Sequence, residues 1–520
     1  MDGGIAMTGG SCAHNKKSQG HNKFQESGFQ KSAAWALTNF GGAMLGDQRR
    51  SRRLVAVAGA IADNPGMSLP KVLPNWSDLT GAYRLLSNPE VDARSILMPH
   101  MTLTKHESSA YPVVLCVQDS TYLDFTLRTG IRGLGITGDG KGRGLLQHSA
   151  LAVLPGKHGQ GHGGGRVLGV LDIAWHALAA VPEGETRRER QSRWTQRFVW
   201  HEAAGHIGRW PQDSQLIHVG DRHSDLFRFM HEALLLGHGF VVRAMHDRYV
   251  DEAREGTSEE TGSQDDVSPE TTERLWEKLE RQEVLGQMTV ALGTQRTGGN
   301  QVKRQGREAV LTIRTSPMVV PPSCNDPRTK DASPLSVHAV YLLEENPPEG
   351  VEAVEWMLVT SLPVVTLDEA RAVIGYYTCR WVIEEWHRCL KEGCGIEESQ
   401  LDDGEDIQRL AAILSVVALR LLQVRDLSEV SNNTDTPRTL AGWVPPLFIL
   451  IVAGLAKVNP SQLTPRQFHL TVAKRGGYLA RKNDPRPGWK VLWRGWNDIV
   501  QMVRGAELYR EMLNYEKKCV

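Results

Sequence analysis

Residues 377–391 read Tyr377-Thr378-Cys379-Arg380-Trp381-Val382-Ile383-Glu384-Glu385-Trp386-His387-Arg388-Cys389-Leu390-Lys391. An α-helix turns about 100° per residue, so Tyr377, Arg380, Glu384 and Lys391 would fall within roughly 60° of one another. The other side carries Cys379, Ile383, Trp386 and Leu390 at i, i+4, i+7 and i+11, an apolar stripe suited to packing. The pattern predicts a helix that buries the second set and presents the first together, with Glu385 near the edge of the polar face. A row holding a phenol, a guanidinium, a carboxylate and an ammonium suits a phosphate backbone plus a cation. The carboxylate binds a hard metal ion, and the cations and hydroxyl hold phosphate oxygens. A solvated helix face laced by i, i+4 charge pairs would carry the same residues, so the row needs partners from elsewhere.

Two aspartates qualify. Val113-Val114-Leu115-Cys116-Val117 is a short, apolar, β-branched run, as expected of a buried strand, and it ends at Gln118-Asp119-Ser120-Thr121. Leu216-Ile217-His218-Val219 is another, ending at Gly220-Asp221-Arg222. Carboxylates at strand ends, joined by one from a helix, can hold two Mg²⁺ ions about 3.5–4 Å apart, an arrangement that activates an attacking oxygen and stabilises the leaving one at phosphorus. Further strand-like runs lie at 149–154, 167–173 and 239–243, then at 288–292, 309–314, 337–343 and 356–360, where Pro and Gly clusters separate them. Helical spacing marks residues 32 to about 97 and 368 to about 425.

The spacing Tyr377, Arg380, Glu384, Lys391 agrees at every position with the Y-(2)-R-(3)-E-(6)-K signature of the bacterial insertion-sequence transposases related to transposon Tn-five, the insertion-sequence-four family, and the chain resembles that family over most of its length. Trp35 through Leu54, with Leu45-Gly46-Asp47-Gln48-Arg49-Arg50, is similar to the family's DNA-binding region, continued by Gly81-Ala82-Tyr83-Arg84 and Asn88-Pro89. Val117-Gln118-Asp119-Ser120-Thr121 and Gly220-Asp221-Arg222-His223-Ser224-Asp225 look like the two catalytic aspartate motifs. Glu345-Asn346-Pro347-Pro348 and Trp356-Met357-Leu358-Val359-Thr360 look like the end of its β insertion, and Gly476-Gly477-Tyr478 with Trp489 and Trp493-Arg494-Gly495-Trp496 like its C-terminal dimerisation segment.

The resemblance implies a mixed α/β chain. A disordered tail (1–30) and a helical DNA-binding domain (31–100) would precede a ribonuclease-H-like core in two parts (105–245 and 356–430). A β-rich insertion (246–355) would separate those parts, and a helical dimerisation domain (431–520) would follow. It also implies a DDE triad of Asp119, Asp221 and Glu384 holding Mg²⁺ or Mn²⁺, with Tyr377, Arg380 and Lys391 on DNA phosphates. Trp356 stands 21 residues before Tyr377, where the family inserts a Trp beside a base flipped from the transposon end, and stacking on an indole would offset the cost of extrusion. Arg243, at the end of a strand-like run, and the basic cluster Arg49, Arg50 and Arg53 complete the expected DNA contacts. The implied activity is cut-and-paste transposition on double-stranded DNA, at terminal inverted repeats and target, by a homodimer. Two other readings stay open: a DNA-end-binding remnant that does not cut, and a nuclease that cuts without joining. Two motif positions depart from the family: His223 where relatives often carry Glu, and Ser120 where Thr is common. The segment 251–276 is also more acidic than the family's insertion.

Bulk properties fit a multidomain chain, since 520 residues exceed one compact core. Sixty Lys and Arg balance sixty Asp and Glu, but unevenly. Residues 1–60 hold eight basic against three acidic, 457–520 thirteen against five, and 251–280 three against eleven. A neutral sum can therefore hide basic surfaces that attract a polyanion. Seven cysteines without CxxC spacing, no signal peptide and no long apolar run point to reduced thiols in a cytosolic setting and away from membranes, and the resemblance implies a bacterial, nucleoid-associated protein. Gly133-Leu134-Gly135-Ile136-Thr137-Gly138 matches GxGxxG, but the Gly-rich stretch after it cannot open a helix, so a flexible loop fits better than a dinucleotide site. His201 and His206, at i and i+5, have the wrong spacing for a zinc helix.

Overall fold

A computed structural model describes residues 32–138, 140–156, 165–186, 189, 193–252, 273–296, 302–322, 326–430, 444, 446–481, 484 and 487–519. The expected tail, most of the acidic segment 251–276, and residues 431–443 lie outside the described residues. Helices α1 (Ser32–Phe40), α2 (Gln48–Asp63), α3 (Leu69–Val72), α4 (Trp76–Leu86) and α5 (Ala93–Ser108) lead into strands β1 (Val113–Asp124), β2 (Gly135–Thr137), β3 (Gly142–Leu154) and β4 (Arg166–His176). Then come α6 (Val199–Ile207), β5 (Gln215–Gly220), α7 (Phe227–Leu235), β6 (Gly239–Arg243), β7 (Tyr249–Glu252), β8 (Glu273–Arg274), α8 (Leu275–Glu280) and β9 (Gly286–Leu292). The strands β10 (Gln295–Arg296), β11 (Val302–Arg304), β12 (Arg307–Val320), β13 (Leu335–Leu343) and β14 (Glu355–Thr360) follow. Helices α9 (Leu367–Thr378), α10 (Trp381–Arg388), α11 (Gly404–Val430), α12 (Pro446–Ala456), α13 (Pro465–Arg475) and α14 (Trp489–Cys519) close the chain.

Among the described residues, twelve strands form one mixed sheet in the order β2-β3-β1-β5-β6-β14-β13-β12-β7-β8, with β4 also on β3 and β9 also on β12. Strands β1, β5 and β6 run parallel, and β1 pairs antiparallel with β3. Apolar residues alternate along them, so each strand feeds two cores. Leu115, Val117, Ile217, Val219 and Val241 face the helical layer that includes Trp386 and much of α11, while Val114, Cys116 and Leu216 face the other side with Ile207 and Trp210. The strands in the span expected as a β-rich insertion extend this same sheet, because β14 pairs with both β6 and β13. The Gly-rich loop is likewise partly ordered: Gly135–Thr137 pairs with β3 as β2, so GxGxxG opens no helix. Among the described residues, no helix is long and apolar enough to cross a membrane.

The N-terminal helices dock on α11 through buried arginines. Arg409, on α11, donates to the main-chain oxygens of Leu86 (2.9 Å) and Val91, and Arg420 donates to Ser32 Oγ at 3.1 Å. Hydrogen bonds from charged donors contribute about 1.5–3 kcal/mol each. At the C-terminus, Phe448, Val452, Phe468 and Ile499 make a small core of their own. From that region the Trp493 ring lies against Gly66 and Gly393. A Cβ on Gly66, whose φ is +76°, would stand 2.4 Å from the indole.

Candidate active site

The site begins with strand register. Val117 stands opposite Val219 in the parallel β1–β5 pair. Two residues further on, this sets Asp119 beside Asp221, which is still extended and caps the short turn Arg222–Ser224. Parallel neighbours lie about 4.8 Å apart and point to the same face when in register. Both aspartates therefore continue the face of Leu115, Val117, Ile217 and Val219, under the helices. Asp119 is not at a strand end, as expected, but in the middle of β1, which continues to Asp124 against β3. It is β5 that stops, opening a notch where the β1 residue stands half-buried.

Helix α10 brings Glu384 to the notch. Val382, Ile383, Trp386 and His387 are its buried side, and Trp386 Nε1 donates to Ser415 O of α11 at 3.1 Å, fixing its rotation. Arg380 then bridges the acids: Nη2 lies 2.6 Å from Glu384 Oε1 and Nη1 3.6 Å from Asp119 Oδ2, with only 13% of the Arg380 side chain exposed. Burial pushes the Asp119 carboxyl up to about 7, the Asp221 and Glu384 charges add to the rise, and Arg380 and the Ser120 N–H partly oppose it. Three carboxylates thus interact electrostatically at Asp119, with one guanidinium between two of them. Among the described residues, no three His, Cys, Asp or Glu side chains already stand around one point as a formed metal cage.

The single helix expected through 377–391 is broken in two places. Cys379, Arg380, Val382 and Ile383 each donate to the carbonyl three residues back, and Thr378 Oγ1 donates to Gly375 O at 2.8 Å. These contacts tighten the chain into a 3₁₀-like turn between α9 and α10. After α10, Cys389–Gly393 forms a wide turn closed by Cys394 N to Cys389 O at 2.8 Å. Tight winding on one side and loose winding on the other spoil a constant 100° step. Tyr377 is accordingly buried, its ring edge-on to Trp356 at 5.3 Å. Lys391 donates to Tyr122 O and lies 3.4 Å from Glu397.

Register also brings in Arg243. Gly220 stands opposite Val242, so Asp221 falls beside Arg243. The Arg243 guanidinium lies 5.9 Å from the Trp356 ring and donates to Glu355 O at 3.0 Å. Arg243, half-buried Trp356 and Tyr377 thus form a contiguous row, with the phenol edge-on to the indole. The basic cluster of α2 is distant in sequence and partly spent on its own domain. Arg50 pairs with Glu90 at 2.6 Å and Arg53 with Asp78 at 2.7 Å, while Arg49, paired with Asp47 across the helix N-cap, keeps 88% of its side chain exposed.

Sequence reasoning assigned no role to two residues of the second aspartate motif. Asp225 is fully buried, accepts the N–H groups of Met245 (2.8 Å) and His246 (3.2 Å) and pairs with Arg248, so it ties the turn after Asp221 to the chain leaving β6. His223 contacts Asp221 itself. The available signal was the Asp-x-His spacing, which lets a side chain fold back on its own turn.

Residues 32–91 match the family model described as transposase DNA-binding. The span covers α1 to α4 and the basic cluster. Helices α1 to α4 are thus similar to a transposase DNA-binding domain, and such a domain implies a transposase.

Proposed function

We propose that this protein is a divalent-metal-dependent DDE transposase that moves DNA by cut-and-paste, on a ribonuclease-H-like core. The observation that carries the reading is the β1–β5 register, which sets Asp119 beside Asp221 on the face over which α10 carries Glu384. The strand order β4-β3-β1-β5-β6, antiparallel then parallel, supports the core assignment, and the N-terminal match supports DNA as substrate.

The donor set fits a hard divalent ion, which prefers carboxylate oxygens. The elevated Asp119 fits as well: burial raises it first, and the Asp221 charge beside it adds to a rise that Arg380 only partly opposes. Asp119, Asp221 and Glu384 would hold the ion. When bound, Mg²⁺ or Mn²⁺ supplies activation of the attacking oxygen and stabilisation of the leaving one. The chain's own residues position and neutralise. Arg380 exchanges its carboxylate partners for phosphate oxygens, which its fork suits. Lys391 and Arg243 supply charge to neighbouring phosphates, and Trp356 offers an indole face to an extruded base. Tyr377 fixes that indole edge-on.

In this reading water hydrolyses one strand at each element end, leaving a 3′-hydroxyl. That hydroxyl attacks the opposite strand to form a hairpin, a second water opens it, and the freed 3′-hydroxyl attacks target DNA. Cutting two ends together takes two subunits, with residues 431–520 as the dimer contact. The test is Mg²⁺-dependent cleavage of DNA carrying the element's terminal inverted repeats. Asp119→Ala, Asp221→Ala and Glu384→Ala are each expected to abolish cleavage while end binding persists. Nicking retained by any variant removes that residue from the triad. Tight end binding without cleavage in Mg²⁺ or Mn²⁺ would favour the non-cutting remnant, and breaks without joining would favour a plain nuclease.

A further inference from the structure

The Asp221 carboxylate takes two hydrogen bonds from one residue. The His223 main-chain N–H donates to Oδ1 at 2.9 Å, and ring Nδ1 lies 3.0 Å from Oδ2. An ionised carboxylate only accepts, so Nδ1 carries the proton. The ring does little packing, because 72% of the His223 side chain is exposed. An exposed contact of this kind contributes little to stability. Its effect is directional. Asp221 is otherwise free to rotate at the edge of the notch, and two bonds from one turn hold both oxygens.

We propose that His223 is a positioning residue for the metal site: its ring Nδ1–H fixes the rotamer of Asp221 so that the carboxylate meets an incoming divalent ion already oriented. The inference rests on the metal-dependent reading above. Hydrogen-bonding partners of ligating carboxylates typically change metal affinity by about 10–100-fold when removed. The backbone N–H survives substitution, so the lower end of that range applies here.

The experiment is Mn²⁺ binding to the full-length protein without DNA, followed by the loss of the free-ion paramagnetic resonance signal at fixed pH. His223→Ala is expected to weaken binding about 10-fold. His223→Asn is expected to restore wild-type affinity, because its amide nitrogen reaches the place of Nδ1. Asp221→Ala serves as the reference for loss of the site. Wild-type affinity in His223→Ala, alongside weakened binding in Asp221→Ala, overturns the role of His223 and leaves the metal site standing. Equal weakening in the Ala and Asn variants also overturns it, since a donor at that position would then not matter. Binding that Asp221→Ala does not reduce overturns the metal reading together with this inference.

Discussion

Asp119 holds a charge the fold resists. Its carboxyl is pushed up to about 7 by burial and by the Asp221 and Glu384 charges, against about 3.9 in an unfolded chain. A group whose folded pKa is raised favours the fold only where it stays protonated, so the cost of ionising Asp119 grows as pH rises from about 4 and is complete above about 7. Asp119→Asn removes that cost while keeping an oxygen for the Ser120 N–H. Each tenfold change in acidity is worth roughly 1.4 kcal/mol. The substitution is therefore expected to stabilise the metal-free protein by about 2–4 kcal/mol at pH 8 and by little at pH 4, while cleavage is lost. Urea unfolding at the two pH values checks this, and no gain at pH 8 would mean that Asp119 is not strained. Arg380 works in the opposite sense. Truncating one partner of a fully buried pair costs about 3–5 kcal/mol. Glu384 is 30% exposed on its side chain, so Arg380→Ala is expected to cost about 2 kcal/mol. Arg380→Lys should recover only part of that, since an ammonium cannot reach Asp119 and Glu384 together. Full recovery by lysine would show that charge alone, without the fork, joins the two acids.

At the scale of elements, local pattern told much and long-range register told little. The runs that became β5 and β6 were readable because β-branched residues border glycine or polar residues there. Asp119 and Asp221 were readable as acids beside such runs. That they are neighbours was not, because the β1–β5 pairing joins segments about a hundred residues apart and no local rule fixes it. The break between α9 and α10 was hidden for a different reason. Thr378 and Cys379 are tolerable helix residues, and only the contacts of Thr378 with Gly375 and the packing of Tyr377 on Trp356 select the tighter turn. The C-terminal motif shows the reverse case, a stretch quoted for its resemblance whose glycines have a plain steric task. A Cβ on Gly476 would stand 1.7 Å from Val491 O, and one on Gly495 would stand 1.7 Å from Val472 O. Helices α13 and α14 therefore touch backbone to backbone. Gly495→Ala is expected to force them apart and loosen the small core of Phe448, Val452, Phe468 and Ile499, at about 3 kcal/mol or more for overpacking against main chain. Hydrogen exchange should rise in residues 446–519 while β1, β5 and α10 keep their protection. Unchanged exchange there would show that the crossing can widen freely.

Across the whole molecule, buried histidines join the layers. Ser120 Oγ donates to His148 Nδ1 (2.8 Å), His148 Nε2 to Gln118 Oε1 (3.0 Å), Gln118 Nε2 to His218 Nδ1 (2.7 Å), and His218 Nε2 to His238 Nδ1 (2.9 Å). The chain runs from β3 through β1 and β5 to the start of β6, and with Gln118 accepting from His148 its amide N–H points at His218 Nδ1, so its directions close only if His218 is neutral. A proton added to His218 Nδ1 would face the Gln118 amide N–H. Elsewhere His100 donates from Nδ1 to Asn39 Oδ1 (2.7 Å) and accepts the Val170 N–H at Nε2 (3.1 Å), joining α5 to α1 and β4. His387, on the buried side of α10, lies 3.5 Å from Ser149 Oγ. Burial holds His100 down to about 4 and His148 and His387 to about 3, and it drives His218 well below its ordinary value. The sign follows from proton counts. Between about pH 6.5 and pH 4 the unfolded chain binds protons on these four residues and the native chain does not, so stability falls as pH falls. Each histidine contributes about 1.4 kcal/mol per pH unit. Asp119, displaced the other way, offsets the share of one of them. The urea midpoint is therefore expected to drop steeply between pH 7 and pH 5, and His148→Gln, which cannot gain a proton, should flatten that slope by about one histidine's share. A midpoint that stays level over this range would mean that the histidines are protonated in the folded protein, and the directed chain from Ser120 to His238 would then have to be drawn differently.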